Sequence, residues 1–123
     1  MVKRYEEFIN ESRIYTTAIV ALFYKNKILV LQRSSTAPWM PNKWSLVGGV
    51  IREVKEEINL IPYDIEFIQK KRTKDGYISY FTGSLKSDKV KLNFENSNYK
   101  FIDKKEILSL NVVPYIKEFI YGL

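Results

Sequence analysis

The sequence contains no cysteine and no histidine. Without cysteine there can be no disulfide and no thiolate metal site. Without histidine there is no Ser-His-Asp chemistry, no imidazole general base and no histidine-bound zinc. Any metal must therefore sit on oxygen ligands, which suits magnesium, calcium or manganese. Repeats, low-complexity tracts and linkers are absent as well, and no apolar run approaches the roughly 20 residues of a membrane span. The opening Met1-Val2-Lys3-Arg4-Tyr5-Glu6-Glu7-Phe8 is charged and lacks the apolar stretch of a signal peptide. A cytoplasmic protein with no membrane partner is the expectation.

What is present fits one folded domain spanning residues 1–123. At this length folding removes roughly two thirds of the unfolded chain's surface from water, enough for a real core. Hydrophobic residues make up 46% of the chain and charged residues 28%, a mixture that folds rather than staying disordered. The net charge of +6 permits anionic partners, either nucleic acid or small phosphorylated ligands. It reads equally as a lysine-rich solvated surface. The densest basic run, Lys70-Lys71-Arg72 with Lys74, is too short for a long basic stripe, which argues against nucleic acid.

Periodicity places the elements. Glu6 to Ser12 reads as a short helix. Tyr15 to Tyr24 and Ile28 to Gln32 read as a strand hairpin around Lys25-Asn26-Lys27. Ser34 to Lys43, with two prolines, is a loop. Trp44 to Val47 is a short strand ending in Gly48-Gly49. Ile51 to Leu60 is the clearest helix, with Ile51, Val54 and Ile58 on one apolar face and Asn59 suited to end it in the left-handed conformation. Ile65 to Thr73 and Tyr77 to Ser84 form a second hairpin around Lys74-Asp75-Gly76. Val90 to Phe94 and Tyr99 to Ile102 are short apolar segments. Asp103 is placed to cap a helix through Leu108, with Glu106 three residues on, and Pro114 to open a last helix through Tyr121. Strands with interspersed helices imply an α/β fold, a mixed sheet with helices packed on it.

The helix at 51–60 has a second face. Glu53, Glu56 and Glu57 lie at i, i+3 and i+4, so their carboxylates converge. Like charges so placed destabilise an isolated helix by roughly 0.2–0.5 kcal/mol per pair. Arg52 relieves part of this through Glu56, and a divalent cation would relieve more. On the helix alone, an ordinary solvated face explains the same residues.

The surrounding sequence changes that balance. Trp44-Ser45-Leu46-Val47-Gly48-Gly49, then Val50, then Ile51-Arg52-Glu53-Val54-Lys55-Glu56-Glu57-Ile58-Asn59-Leu60 resembles the two ends of the Nudix box, G-x5-E-x7-R-E-U-x-E-E-x-G-U, where U is a bulky aliphatic residue. Gly49 matches the first glycine. Arg52, Glu53, Val54, Glu56, Glu57 and Leu60 match the later part, with Asn59 in place of glycine. The hairpin from Thr16 to Arg33 is similar to the family's opening strands. Glu95-Asn96-Ser97-Asn98-Tyr99-Lys100-Phe101 and Lys105-Glu106-Ile107-Leu108 are similar to its acidic loop, strand and helix.

The resemblance implies a Nudix-like α/β/α sandwich with a mixed β-sheet. It also implies a magnesium-dependent hydrolase, with manganese as an alternative, that cleaves a small nucleoside-diphosphate-linked substrate and that could work as a homodimer. Glu53, Glu56, Glu57, Glu95 and the Gly49 carbonyl are the implied metal ligands. Glu53 and Glu95 are both candidates for the catalytic base. Arg33 could clamp a phosphate, and Trp39, Tyr80 and Phe81 could stack on a base; for each aromatic, core or loop packing is the competing role. A module that kept the fold and lost catalysis, binding nucleotides or serving regulation, is the main rival. A basic nucleic-acid-binding domain is a weaker one.

One departure from the pattern is large. Val50 and Ile51 stand where the family places 13 residues, so eleven positions, the first glutamate among them, have no counterpart. Both ends of the box are kept, and the helix near Ile51 has no Ser, Thr, Asp or Asn just before it to cap its N–H groups. These features favour a stretch skipped between Gly49 and Arg52 over a decayed site. A skip would leave a C–N distance well above about 1.33 Å at one of those three bonds.

Overall fold

A computed structural model describes residues 16–49, 51–74 and 76–123, apart from the side chains of Thr16, Ile51 and Arg52. The expected helix from Glu6 to Ser12 and the bonds flanking Val50 lie outside the described residues.

The first hairpin forms as its alternation implies, with β1 at Thr16–Tyr24 and β2 at Lys27–Arg33. The intervening Lys25 and Asn26 both take positive φ, 49° and 66°, as a tight hairpin turn requires. The two strands pair only near that turn, at Phe23 with Ile28 and Tyr24 with Lys27, and then part company. The gap between them explains why the expected single strand from Trp44 to Val47 is in fact two. β3, Trp44–Ser45, pairs with β2, whereas β4, Val47–Gly48, pairs with β1.

α1 follows at Ile51–Ile58, and Asn59 ends it with φ 59°, the left-handed conformation expected there. β5, Tyr63–Thr73, and β6, Gly76–Ser84, both run slightly longer than their periodicity implied. β7 spans Asn96–Ile102, α2 Lys104–Ser109 and α3 Ile116–Tyr121. Asp103 caps α2, its side chain accepting a bond from the Glu106 N–H at 2.9 Å. Pro114 does not open α3. Tyr115 intervenes with φ 72°, a conformation that cannot be part of a right-handed helix, so the helix starts at Ile116, two residues after Pro114. The expected apolar segment from Val90 to Phe94 is irregular, part of a loop between β6 and β7.

The sheet is mixed, ordered β3-β2-β1-β6-β5, with β7 on β2 and β4 on β1. β1 and β6 are parallel, and the other strand pairs are antiparallel. Alternate residues of β1 serve two cores, because side chains of a strand point to opposite faces. Ile19 and Ala21 join Tyr80, Phe119, Ile116 and Ile107 under α2 and α3. Ala18, Val20 and Leu22 join Val54, Ile58 and Phe81 under α1. Helices thus cover both faces of one sheet, the α/β/α sandwich. Among the described residues no helix is long and apolar enough to cross a membrane.

Candidate functional site

The split between β1 and β2 positions the site. β4 runs from the gap into Gly48, with Gly49 after it, and α1 begins at Ile51, its apolar residues Val54 and Ile58 being 1% and 0% exposed. Burial of that stripe turns the glutamate face of the helix outward. Glu53, Glu56 and Glu57 line one cavity of about 430 Å³ together with Arg33, Gly48 and Glu95. Gly49 adopts φ 93°, and a Cβ at that position would collide with the Glu53 carboxylate. Glycine is needed there both for conformation and for space.

Arg33 and Glu95 reach the cavity from the other side. At the end of β2 the register with β7 slips by one residue, so that Gln32 faces Asn98 and Arg33 faces Asn96. Arg33 is held by a 2.7 Å bond from its Nε to the Trp39 carbonyl, and its guanidinium lies 5.4 Å from the Trp39 ring centroid. Glu95 sits on the β6–β7 loop. Two backbone bonds of 3.1 Å tie that loop down: Lys91 N–H donates to the Ile58 carbonyl at the end of α1, and Ser34 N–H donates to the Glu95 carbonyl.

Glu57 is the carboxylate most affected by its surroundings. Its Oε1 accepts a long 3.4 Å bond from the Asn96 side-chain amide, while its Oε2 is buried with no hydrogen-bond partner. Burial, reinforced by the charge of Glu95, pushes its pKa from the usual 4.5 up to about 7. The Asn96 bond pulls it down, Glu53 adds to the rise and Arg33 opposes it. A desolvated carboxylate oxygen without a partner suits a cation, and the all-oxygen donor set of this cavity suits a hard one. The four glutamates line the cavity without converging on one point: among the described residues no group of three or more acidic side chains is close enough to hold an ion.

A second cavity, of about 370 Å³, adjoins the first and shares Arg33, Glu57 and Glu95 with it. Its remaining wall comes from the β2–β3 loop, including Ala37 and Pro38, and from Phe94 and Asn96.

The sequence-based expectations divide accordingly. Gly49, Glu53, Glu56, Glu57, Glu95 and Arg33 gather at or beside one cavity. Tyr80 and Phe81 do not join them, and base stacking by these two is corrected: they are 1% and 7% exposed. Tyr80 packs at 4.5 Å between ring centroids on Phe119 and donates its hydroxyl to the Tyr115 carbonyl, and Phe81 packs edge-on against Phe67. Trp39 is half exposed but lines neither cavity, and its ring serves Arg33. Phe94, Asn93 and Asn96 are site residues that sequence reasoning missed. The signal for Phe94 was an aromatic within the polar run Asn93-Phe94-Glu95-Asn96-Ser97-Asn98.

Comparison with known proteins gives likeness in fold only. The sequence matches no family model and no curated protein. Among solved structures, the chain is similar to a MutT protein from Methanosarcina mazei, at 22% identity and a TM-score of 0.67, over 87% of this chain and 90% of that one. An Ap4A hydrolase from C. elegans, solved as a binary complex, aligns at 19% identity and a TM-score of 0.69, over 86% of this chain and 93% of that one. The Nudix domain of Shewanella oneidensis NrtR, solved with ADP ribose, aligns at 19% identity and a TM-score of 0.70, over 86% of this chain and 83% of that one.

Proposed function

From the premise that this chain has the Nudix hydrolase fold, we propose that it hydrolyses a phosphoanhydride in a small nucleoside-diphosphate-linked compound. Magnesium, or manganese in its place, would be held by carboxylates of Glu53, Glu56, Glu57 and Glu95 with the Gly49 carbonyl, once these side chains draw together around it. When bound, such a cation neutralises phosphate oxygens and acidifies water. Arg33 grips a phosphate oxygen from the opposite wall, its guanidinium already oriented by the Trp39 carbonyl and ring. Glu53 or Glu95 takes the proton from the attacking water, since no histidine exists to do so. The products are a nucleoside monophosphate and the remaining phosphate-bearing fragment.

One observation carries this reading: the buried, partnerless Oε2 of Glu57, in a cavity that also receives Glu53, Glu56, Glu95 and Arg33. Incubation with a panel of nucleoside-diphosphate compounds, with and without magnesium, tests it. Magnesium-dependent release of nucleoside monophosphate, lost in Glu57→Gln, is the expected result. Magnesium-independent release, or none from any compound, overturns it.

A second reading is a nucleotide-binding or regulatory module without catalysis. The eleven missing box positions and the unconverged carboxylates favour it. It expects nucleotide binding without turnover in the same assay. Residence in the cytoplasm and a homodimeric state, read by light scattering, belong to the proposal.

A further inference from the structure

We propose that the outer edge of β5 is a self-recognition surface, on which a second copy of this chain lays its own β5 antiparallel about a two-fold axis near Ile68; this rests on the homodimeric reading above and gives it a contact face. β5 is the longest strand at 11 residues, and among the described residues no strand pairs with its outer side. An edge that is only protected from association is short, or carries charge and little apolar surface. This one is neither. Ile61, just before it, and Tyr63, Phe67 and Ile68 on it are 64%, 41%, 51% and 42% exposed, half of the exposed large hydrophobics among the described residues. Apolar surface gathered on one strand marks an interaction site. Two register shifts with β6, between Tyr63 and Glu66 and between Phe67 and Gln69, keep the strand from accepting any passing backbone, so recognition falls to its side chains.

The charges select the occupant. They are sorted along the strand: Asp64 and Glu66 stand in its first half, Lys70, Lys71 and Arg72 in its second. Lys71 is neutralised at home by Glu118 of α3. Two acids and two bases remain on either side of Ile68, and all four are exposed. Lys70 and Arg72 are held against the ring of Tyr77, 4.4 and 5.5 Å from its centroid. Among the described residues no cation pairs with Asp64 or Glu66. An antiparallel copy brings the acidic half of each strand to the basic half of the other, twice over, because a two-fold interface is self-complementary. A parallel copy sets like charges opposite one another, which is destabilising. The opposite edge, β7, carries Lys100 as its one charge and offers no acid to the basic half of β5. No residue of β5 lines either cavity of the candidate site, so the contact leaves the site open.

Sedimentation velocity on the full chain tests this. The wild type is compared with Asp64→Lys/Glu66→Lys, which puts bases in both halves of β5, and with Lys70→Glu/Arg72→Glu, which puts acids in both. The wild type is expected to be a dimer. Each double variant alone should raise the dissociation constant at least about tenfold, because like charges then face each other. An equimolar mixture of the two variants should recover wild-type affinity, since a basic strand then meets an acidic one. Ile68→Asp sets two like charges together at the axis and should dissociate the dimer without disturbing Tyr77 or Glu118. Thermal melts check that each variant is folded, and if a double variant is not, Ile68→Asp decides alone. A wild type that is monomeric at every concentration overturns this surface and the homodimeric reading together. A dimer as tight in Ile68→Asp as in the wild type overturns this surface and leaves the homodimeric reading standing. Folded double variants that dissociate but do not recover on mixing overturn the antiparallel match, and the proposal with it.

Discussion

The two faces of the sheet are built to different standards. Under α2 and α3, polar groups find partners: the Tyr80 hydroxyl reaches the Tyr115 carbonyl, Asp103 caps α2, and Tyr80 and Phe119 stack over a wholly buried aliphatic layer. Under α1 the aliphatic packing is as tight, with Val54 and Ile58 almost fully buried, but the outer side of the same helix carries three glutamates into a cavity. There Glu57 is desolvated and left half-partnered. A fold whose purpose were only stability would not place a carboxylate so. The difference separates a face that holds the molecule together from a face that spends stability on a site.

Substitutions can break that division, beginning with the largest effect. Phe119→Ala is expected to cost about 3–5 kcal/mol of stability, because a large buried ring leaves a cavity. Urea denaturation measures it, and the KM of the folded fraction should not move. A shift in KM would mean that the two faces are not independent.

Glu57→Gln is expected to reduce hydrolysis by at least about 100-fold, more than the roughly 10–100-fold typical of a residue that merely orients a ligand. It should also weaken magnesium binding, since a neutral amide is a poorer ligand for a hard cation. Stability should move the other way. The folded pKa of Glu57, about 7, lies above its usual 4.5. The metal-free wild type therefore has its full stability with respect to this group below pH 4.5. It loses that contribution as pH rises through about 7. The loss is at most roughly 3 kcal/mol, from about 1.4 kcal/mol for each unit of pKa shift. Thermal melts of metal-free protein at pH 5 and pH 8 should show the decline in the wild type and not in Glu57→Gln. An equal decline in both would assign the effect to other groups.

Arg33→Lys tests the far wall of the cleft. Lysine keeps the charge but cannot reproduce the planar fork or its packing on Trp39. A rise in KM of about tenfold with little change in kcat is the expected outcome of steady-state kinetics. An unaltered KM would remove Arg33 from substrate binding. The smallest effect belongs to Asp103→Ala, which should cost about 1 kcal/mol by loss of a helix cap. Since Asp103 lies outside both cavities, turnover should be unchanged.

Much of this division was legible before any coordinates. The alternation of Thr16 to Tyr24 announced a strand, the Val54 and Ile58 spacing announced which side of α1 is buried, and Asp103 announced a helix start. Local pattern suffices where one face of an element meets the core and the other meets water. It failed where tertiary geometry decides. Nothing local says that β1 and β2 part after two residue pairs, so Trp44 to Val47 read as one strand instead of two. Tyr80 and Phe81 are adjacent on β6 and point to opposite faces, and only the full sandwich reveals that both faces are covered. Phe94 was hidden for a similar reason. It ends an apolar run that looked like a strand, whereas the chain there is a loop held by contacts far away in sequence. That the three glutamates share one side of the helix was legible, but their convergence on one point does not occur, and their sharing of a cavity with Arg33 needed the register slip between β2 and β7.

The two backbone bonds that tie the β6–β7 loop have a consequence in time as well as in space. Lys91 N–H is anchored to α1 and Ser34 N–H belongs to the strand end that carries Arg33, so both glutamate-bearing elements and the arginine are yoked through one short stretch of chain. These amides can exchange their protons with water only when the yoke opens. If the loop moves as a unit, the two amides will exchange at matching rates, and a nucleotide that bridges cleft and pocket will slow both together. Unequal rates would describe a hinge, with the loop swinging about whichever bond persists.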